Sequence, residues 1–333
     1  MALVDRKIAV TGAAGRSGQA VRTALAGANV PSEKVRLLER GGEEAIISEY
    51  AGQAILIGNL DPEALADRDL VFLCGGAAES AGCLLWTRKA GSLFVDLSGA
   101  AAMRGETPVV NLAVASGALV PPPATVAAPH AISYAISTLL APIEREVGIG
   151  SVEAVMHRPA ADFGETGLEE LHKQTVSLLN FGEVPKGTYG RQIAFNIVPQ
   201  AAIDESGGEE PGLENRLGLE VHRIFGWPAP RATVRVLIAS VFHGHAGMVH
   251  VKPGRKVSIR QVSEMLKGIK GVAVSASARS APSPVEIVER PELMVATVTA
   301  DGGDEGGFWV WFVAGDLPAH AARNAVEIAA RVF

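Results

Sequence analysis

Cysteine is close to absent. Cys74 and Cys83 are the only two in 333 residues. Two thiols make no disulfide framework, and a reducing cytoplasm is the compartment that fits. Aromatic residues are scarce as well, at 5 %. Basic residues fall short of acidic ones, and the net charge of −6 leaves no footprint for nucleic acid. No apolar run reaches about 18 residues, so no membrane span is expected. The opening "MALVDRKIAV" runs straight into a strand, and no signal peptide is expected. Internal repeats and low-complexity tracts are missing too. What remains is rich in Ala, aliphatic residues and Gly, a balance that suits an α/β protein. The length allows two domains, each with a core.

Strand and helix signals alternate through the first third. "KIAVTG", "KVRLLE", "AILIGN", "DLVFLCGG" and "SLFVDLSG" read as buried strands. "RSGQAVRTALAGA" has helical spacing, and "ESAGCLLWTRKAG" reads as a further helix. Buried strands separated by helices predict a doubly wound, mostly parallel sheet of Rossmann type. The proline-rich "LVPPPATVAAP" reads as a junction. Beyond it come three helices, a long β-branched stretch "ATVRVLIASVFHGHAGMVHVK", and the strands "LMVATVTA" and "GFWVWFVAG". That order predicts a second, α+β domain. The boundaries expected are 1–130 for the first domain, completed by a closing amphipathic helix over 318–333, and 131–317 for the second.

"VTGAAGRSGQAV" sets Gly12, Gly15 and Gly18 between the first strand and the first helix. Gly12 permits the tight turn, Gly15 lets backbone approach a pyrophosphate, and Gly18 lets the helix pack on the sheet. Ala14, Arg16 and Ser17 complete the loop, the last two as phosphate donors. Glu39 ends the second strand, where a carboxylate bonds ribose hydroxyls, but Arg40 follows it and favours a 2′-phosphate. NAD and NADP both stay open as cofactors. Gly75, at the end of the fourth strand, belongs to the same crevice. Cys74 reads as a small buried residue. His243, His245 and His250 lie close together, but no partner ligands stand at suitable spacing, and no metal site is expected.

The stretch "TVAAPHAISYAIST" runs from strand through Pro129-His130 into a helix start. A helix N-terminus lowers a thiol's pKa and is a natural seat for a nucleophile. The residue there is Ala131.

Taken in order, "VTGAAGRSG", "CGG", "FVDLSGAAAM", "VAAPHAIS", "GETGLEEL", "VFHGHA" and "ARNAVEIA" resemble aspartate-semialdehyde dehydrogenases over nearly the whole chain. The match is closest to the Usg-type paralogues, which lack the catalytic cysteine. The resemblance implies an NADP- or NAD-binding domain closed by the C-terminal helix. It also implies a central domain carrying the substrate site and a homodimer interface, and reductive dephosphorylation of an aspartyl phosphate through a cysteine thioester assisted by a histidine. By the same resemblance the thiol position is Ala131, the acid–base histidine is His245, and the substrate-orienting glutamine is replaced by Arg158. The arginine for the substrate carboxylate is replaced by Ile238, and the phosphate arginine by Ala102, with Arg104 two residues on. Glu214 and Arg216 match the acidic and basic positions of the central helix, and Asn324 the nicotinamide-side asparagine.

Three readings follow. One is a cofactor-binding relative without dehydrogenase activity. Another is an NAD(P)-dependent oxidoreductase on another small carbonyl substrate, using direct hydride transfer with an acid such as His245. The third is aspartate-semialdehyde dehydrogenase itself, with the positions misaligned. Ala131, Ile238 and Ala102 together weigh against the third. A substitute nucleophile at Ser133 is weak because a hydroxyl is far less acidic than a thiol. Arg158 and Arg104 stand as either a new anion site or solvated surface.

Overall fold

The computed structural model describes residues 3–41, 46–86, 89–115, 123–203, 212–288, 294–303 and 306–333. The chain divides into two compact units. One comprises Met1–Tyr134 with Pro318–Phe333, the other Ala135–Leu317.

The first unit begins with β1 (Ile8–Thr11), α1 (Arg16–Gly27), β2 (Val35–Glu39), β3 (Ile46–Tyr50) and β4 (Gln53–Asn59). It continues through α2 (Pro62–Ala66), β5 (Leu70–Leu73), α3 (Ala77–Cys83), β6 (Leu93–Asp96) and β7 (Thr125–Ala127). The sheet order is β3-β4-β2-β1-β5-β6-β7. Every pairing is parallel except the edge pair β3–β4. β1 shows why both faces are covered. Ile8 and Val10 point into one core with Val21 and Leu25 of α1, while Ala9 points into the other with Leu65, Phe94 and Cys83. The first core also takes Ala322, Ala325, Val326, Ile328 and Ala329. These come from a closing helix more than 300 residues downstream in the 333-residue chain.

The second unit takes most of α4 (Ala131–Val147), the division falling between Tyr134 and Ala135. It adds β8 (Ile149–Arg158), α5 (Gly164–Leu179), β9 (Ile197–Pro199), α6 (Leu213–Phe225), β10 (Ala232–Ala239) and β11 (His245–Pro253). Then come α7 (Ile259–Lys267), β12 (Val272–Val274), α8 (Pro284–Ile287), β13 (Met294–Ala300) and β14 (Phe308–Ala314), and α9 (Leu317–Val332) returns to the first unit. Its seven-stranded sheet has the order β12-β13-β14-β11-β8-β10-β9 and is mixed. β8–β10 and β12–β13 are parallel, and the other neighbours antiparallel. One face is packed, with Val152, Ala154, Met156, Val236, Val249 and Phe312 buried. On the other face Val155 and Met248 lie opposite each other in register and are exposed, with Arg235 beside them.

Some elements depart from the reading above. The helix expected over 79–91 spans Ala77–Cys83. Ala77 and Ala78 start it early because they are strong helix formers, and Gly82 weakens its last turn. The single β-branched stretch is two strands, because Gly244 adopts φ +86° and turns the chain between β10 and β11. Part of the proline-rich junction (116–122) and the first residues of the expected third helix (209–211) lie outside the described residues. Within those residues no helix is long and apolar enough to cross a membrane, and no group of three or more His, Cys, Asp or Glu is placed to hold a metal ion.

Candidate functional site

In the first unit the glycine loop joins β1 to α1. Gly12 adopts φ +58°. A Cβ there would fall 2.4 Å from the Gly75 nitrogen, so the loop and the end of β5 touch backbone to backbone. Gly18 is equally constrained, since its Cβ would lie 2.2 Å from the Gly12 carbonyl oxygen. Gly15 differs: the one atom near its would-be Cβ is the Gly12 oxygen at 3.4 Å. Two glycines are therefore needed to build the loop, and the third leaves an open approach. Gly15 is also the N-cap of the 12-residue α1, and among the described residues no side chain caps that end. An approach bare of Cβ, leading to a helix N-terminus with no side-chain cap, fits a pyrophosphate. Arg16 and Ser17 open the helix and are half-buried. Ala14 is exposed, and its N–H donates to Glu39 Oε2 at 3.0 Å, which brings the end of β2 to the loop.

Gly12→Ala is expected to lose both a left-handed backbone position and this contact with Gly75. The cost is of the order of 2–4 kcal/mol. Chemical denaturation of wild type and variant measures it, and Gly15→Ala should cost under about 1 kcal/mol.

Beyond the loop, Asp96 at the end of β6 is buried and accepts from Ser98 N–H, Ser98 Oγ and Ala101 N–H, shaping the turn that contains Ala102. Ala102 is buried, and Arg104 is exposed with a long bond from Nη2 to the Ala81 carbonyl. Asn324 on α9 uses its carboxamide to brace the 110–112 backbone, accepting from Leu112 N–H and donating to the Val110 carbonyl, both at 3.0 Å. Ala131 is the first residue of α4 and is half-buried. His130 Nδ1 accepts the Ile132 N–H, so this histidine caps the helix. Neither cysteine is activated. Burial, then Asp96 and Glu39, push the Cys74 thiol up, and burial followed by Glu79 pushes Cys83 up to about 11.

In the second unit a buried polar cluster stands where β8, the following turn and β11 meet. Asp162 Oδ2 accepts from Arg158 Nε at 3.0 Å and pairs with His245 Nε2 at 2.9 Å. Arg158 also donates from Nη1 to Gln200 Oε1 at 3.0 Å and lies over the Phe163 ring. Because the carboxylate accepts, His245 carries its hydrogen on Nε2. His245 is 1 % exposed. Gly244 sets the ring's place, for a Cβ there would meet the Pro284 carbonyl oxygen at 2.6 Å. Arg158 is thus neither solvated surface nor an open anion site: its charge is met by Asp162. Asp162 and Gln200 escape a reading of the sequence. The only signal for Asp162 is its place four residues after Arg158. Ile238 points into an apolar cluster with Leu171, Tyr189 and Ile193. Glu214 accepts from Val236 N–H and Arg235, and Arg216 pairs with Glu220 at 2.7 Å inside α6.

The description "Semialdehyde dehydrogenase, NAD binding domain" matches residues 7–120, and "Semialdehyde dehydrogenase, dimerisation domain" matches residues 140–317. The chain belongs to the semialdehyde dehydrogenase family. Among curated members, an aspartate-semialdehyde dehydrogenase of Rickettsia bellii is 25 % identical over 97 % of this chain and 96 % of its own. A USG-1 protein homolog of Pseudomonas aeruginosa is 26 % identical over 96 % of this chain and 95 % of its own. Aspartate semialdehyde dehydrogenase II of Vibrio cholerae superposes with a TM-score of 0.82 at 25 % identity, over 97 % of both chains. The fold is therefore the two-part semialdehyde dehydrogenase architecture, with the glycine loop in the NAD binding domain and the His245 cluster in the dimerisation domain.

Proposed function

We propose that the chain is a dinucleotide-binding homodimer that no longer runs the phosphorylating aldehyde dehydrogenation of its family. One observation carries this reading: Ala131 begins α4, where the resemblance puts the nucleophilic thiol. A methyl group cannot add to a carbonyl, so no acyl-enzyme forms and none is passed to phosphate. Cys74 and Cys83 are held as thiols and do not take over. Buried Ile238 and Ala102 supply no cation for a carboxylate or a phosphate. The glycine loop, the α1 N-terminus and Glu39 are the groups that would hold NAD or NADP, and a bound nicotinamide would give or take a hydride.

The His245–Asp162 pair favours a second reading, direct hydride reduction of an aldehyde or oxo compound with His245 as acid and no thiol needed. One set of measurements separates the two. The protein is incubated with aspartate semialdehyde, phosphate and NAD or NADP, then weighed intact, and in parallel with carbonyl compounds and NADH or NADPH. No acyl adduct and no reduced nicotinamide are expected. Carbonyl-dependent oxidation of the reduced cofactor would favour the second reading. Full phosphate-dependent turnover would overturn the first.

The homodimer is proposed to form on the open face of the second sheet, around Val155 and Met248. Light scattering should give twice the 34.6 kDa chain mass, and Val155→Asp with Met248→Asp should shift it toward one chain, since two like charges opposite each other then face the interface core. A wild-type mass of one chain at micromolar protein would end this proposal.

A further inference from the structure

The glycine-loop site leaves the choice between NAD and NADP to the residues around the adenosine ribose. A Rossmann site makes that choice at the end of the second parallel strand: a carboxylate there takes the two ribose hydroxyls and repels a 2′-phosphate, while an arginine nearby does the reverse. This chain has one of each, Glu39 and Arg40, and their adjacency in sequence leaves the outcome open. Their surroundings do not.

Glu39 is fixed at the loop. Its Oε2 accepts the Ala14 N–H at 3.0 Å, so the carboxylate stands beside the path that Gly15 leaves open. A second carboxylate comes from the other side of β1. Glu79 lies in the first turn of α3, and a Cβ on Gly75 would fall 2.2 Å from its Oε1. That oxygen is buried and accepts no hydrogen bond among the described residues. Burial, then the charge of Glu39, raises the Glu79 pKa, and Arg40 pulls it down. Among the described residues, Glu39 is therefore a carboxylate fixed at the end of β2 and Glu79 a second on the other side of β1, while Arg40 is exposed and Arg16 lies in the loop at the start of α1. A 2′-phosphate adds about two negative charges there, whereas a 2′-hydroxyl adds a donor for Glu39.

We infer that this chain takes NAD and discriminates against NADP, through Glu39 at the ribose and Glu79 as a second carboxylate beside the loop. The inference rests on the glycine loop being a dinucleotide site, as proposed above. Like charges brought together in a binding site cost enough to make NAD at least about tenfold tighter than NADP.

Isothermal titration of the full chain tests it, with NAD, NADP, 5′-ADP and 2′,5′-ADP as ligands. NAD should bind more tightly than NADP, and 5′-ADP more tightly than 2′,5′-ADP. Glu39→Gln keeps an acceptor for Ala14 and removes the charge, so it should tighten NADP and narrow the preference by about tenfold. Glu79→Gln, which removes the second negative charge, should narrow it in the same direction. Circular dichroism checks that both variants fold. NADP binding as tightly as NAD overturns the inference and leaves the dinucleotide site standing, and so does a preference that neither variant moves. If neither dinucleotide binds, the glycine-loop reading falls and this inference with it.

Discussion

Ala131→Cys will give the protein a fast-reacting thiol and still no dehydrogenase. Position 131 opens α4, where the helix N-terminus favours a thiolate, so the new cysteine should titrate below the free value of about 8.5. Cys83 is the internal control, with its thiol pushed up to about 11 by burial and Glu79. At pH 7.5 that gap is roughly 300-fold in thiolate fraction, and the lower nucleophilicity of the more acidic thiol trims it to about 20-fold. Limited access to the fully buried Cys83 widens it again. Iodoacetamide labelling followed by peptide mass analysis should therefore mark residue 131 first and almost alone. An inert cysteine at 131 would mean that the nucleophile position has been misplaced. Turnover of aspartate semialdehyde with phosphate should stay on the order of 10⁶ below a competent active site, because groups that act as a unit are lost together. Ile238 sits in an apolar cluster and Ala102 in a buried turn, and neither can be answered by a thiol elsewhere. Strong activity from the single substitution would sink the argument.

Asp162→Ala should destabilise the second unit by about 3–5 kcal/mol, because it strands a buried guanidinium that Asp162 now neutralises. Arg158 and Asp162 are 6 % and 7 % exposed at their side chains, so water cannot take over the lost charge. Asp162→Asn should cost less, since an amide oxygen still accepts from Arg158 or His245. Arg158→Met combined with Asp162→Ala should recover much of the loss, because replacing both partners of a buried pair by apolar groups is often close to neutral. Urea denaturation of the three variants and the wild type reads the difference. A single-variant cost under about 1 kcal/mol would show that the cluster is well solvated.

The parallel sheet was legible because its strands are short, apolar on both faces and punctuated by glycine or a helix start. Edge elements were not. β3 exposes Ile46 and Ile47 and is paired on one side, so its pattern lacks the continuous burial that marks β1 or β5. β9 and β12 have three residues each, too few for a period. The start of α7 was legible in principle, for Ser258 and Gln261 form a reciprocal cap, but the helix buries little beyond Val262 and Leu266. In the candidate site, glycines carry their meaning in local sequence, which is why the loop could be read. The His245 cluster could not. His245 and Asp162 are 83 positions apart, and Gln200 is 42 from Arg158. Only the folded sheet brings them together. The "GLEEL" segment gives the opposite lesson, for a motif can be strongly marked and still be scaffolding. Glu170 accepts from Thr188 and Tyr189 N–H, and Gln174 holds the backbone of Ile193 and Ala194.

The return of α9 to the first unit has a consequence for how the chain is made. Ribosomes release residues in order, and domains commonly fold as they emerge. β1 emerges well before α9, yet the core that receives Ile8 and Val10 also needs Ile328 and Ala329. All of Ala135–Leu317 must be synthesised before Pro318 appears. The second unit can therefore reach its native state first, while the earlier-made sheet waits with one apolar face covered by α1 but still lacking α9. Nascent chains stalled before residue 318 would show that face to a chaperone or a protease, and chains carried through residue 333 on a linker long enough to clear the ribosomal tunnel would hide it.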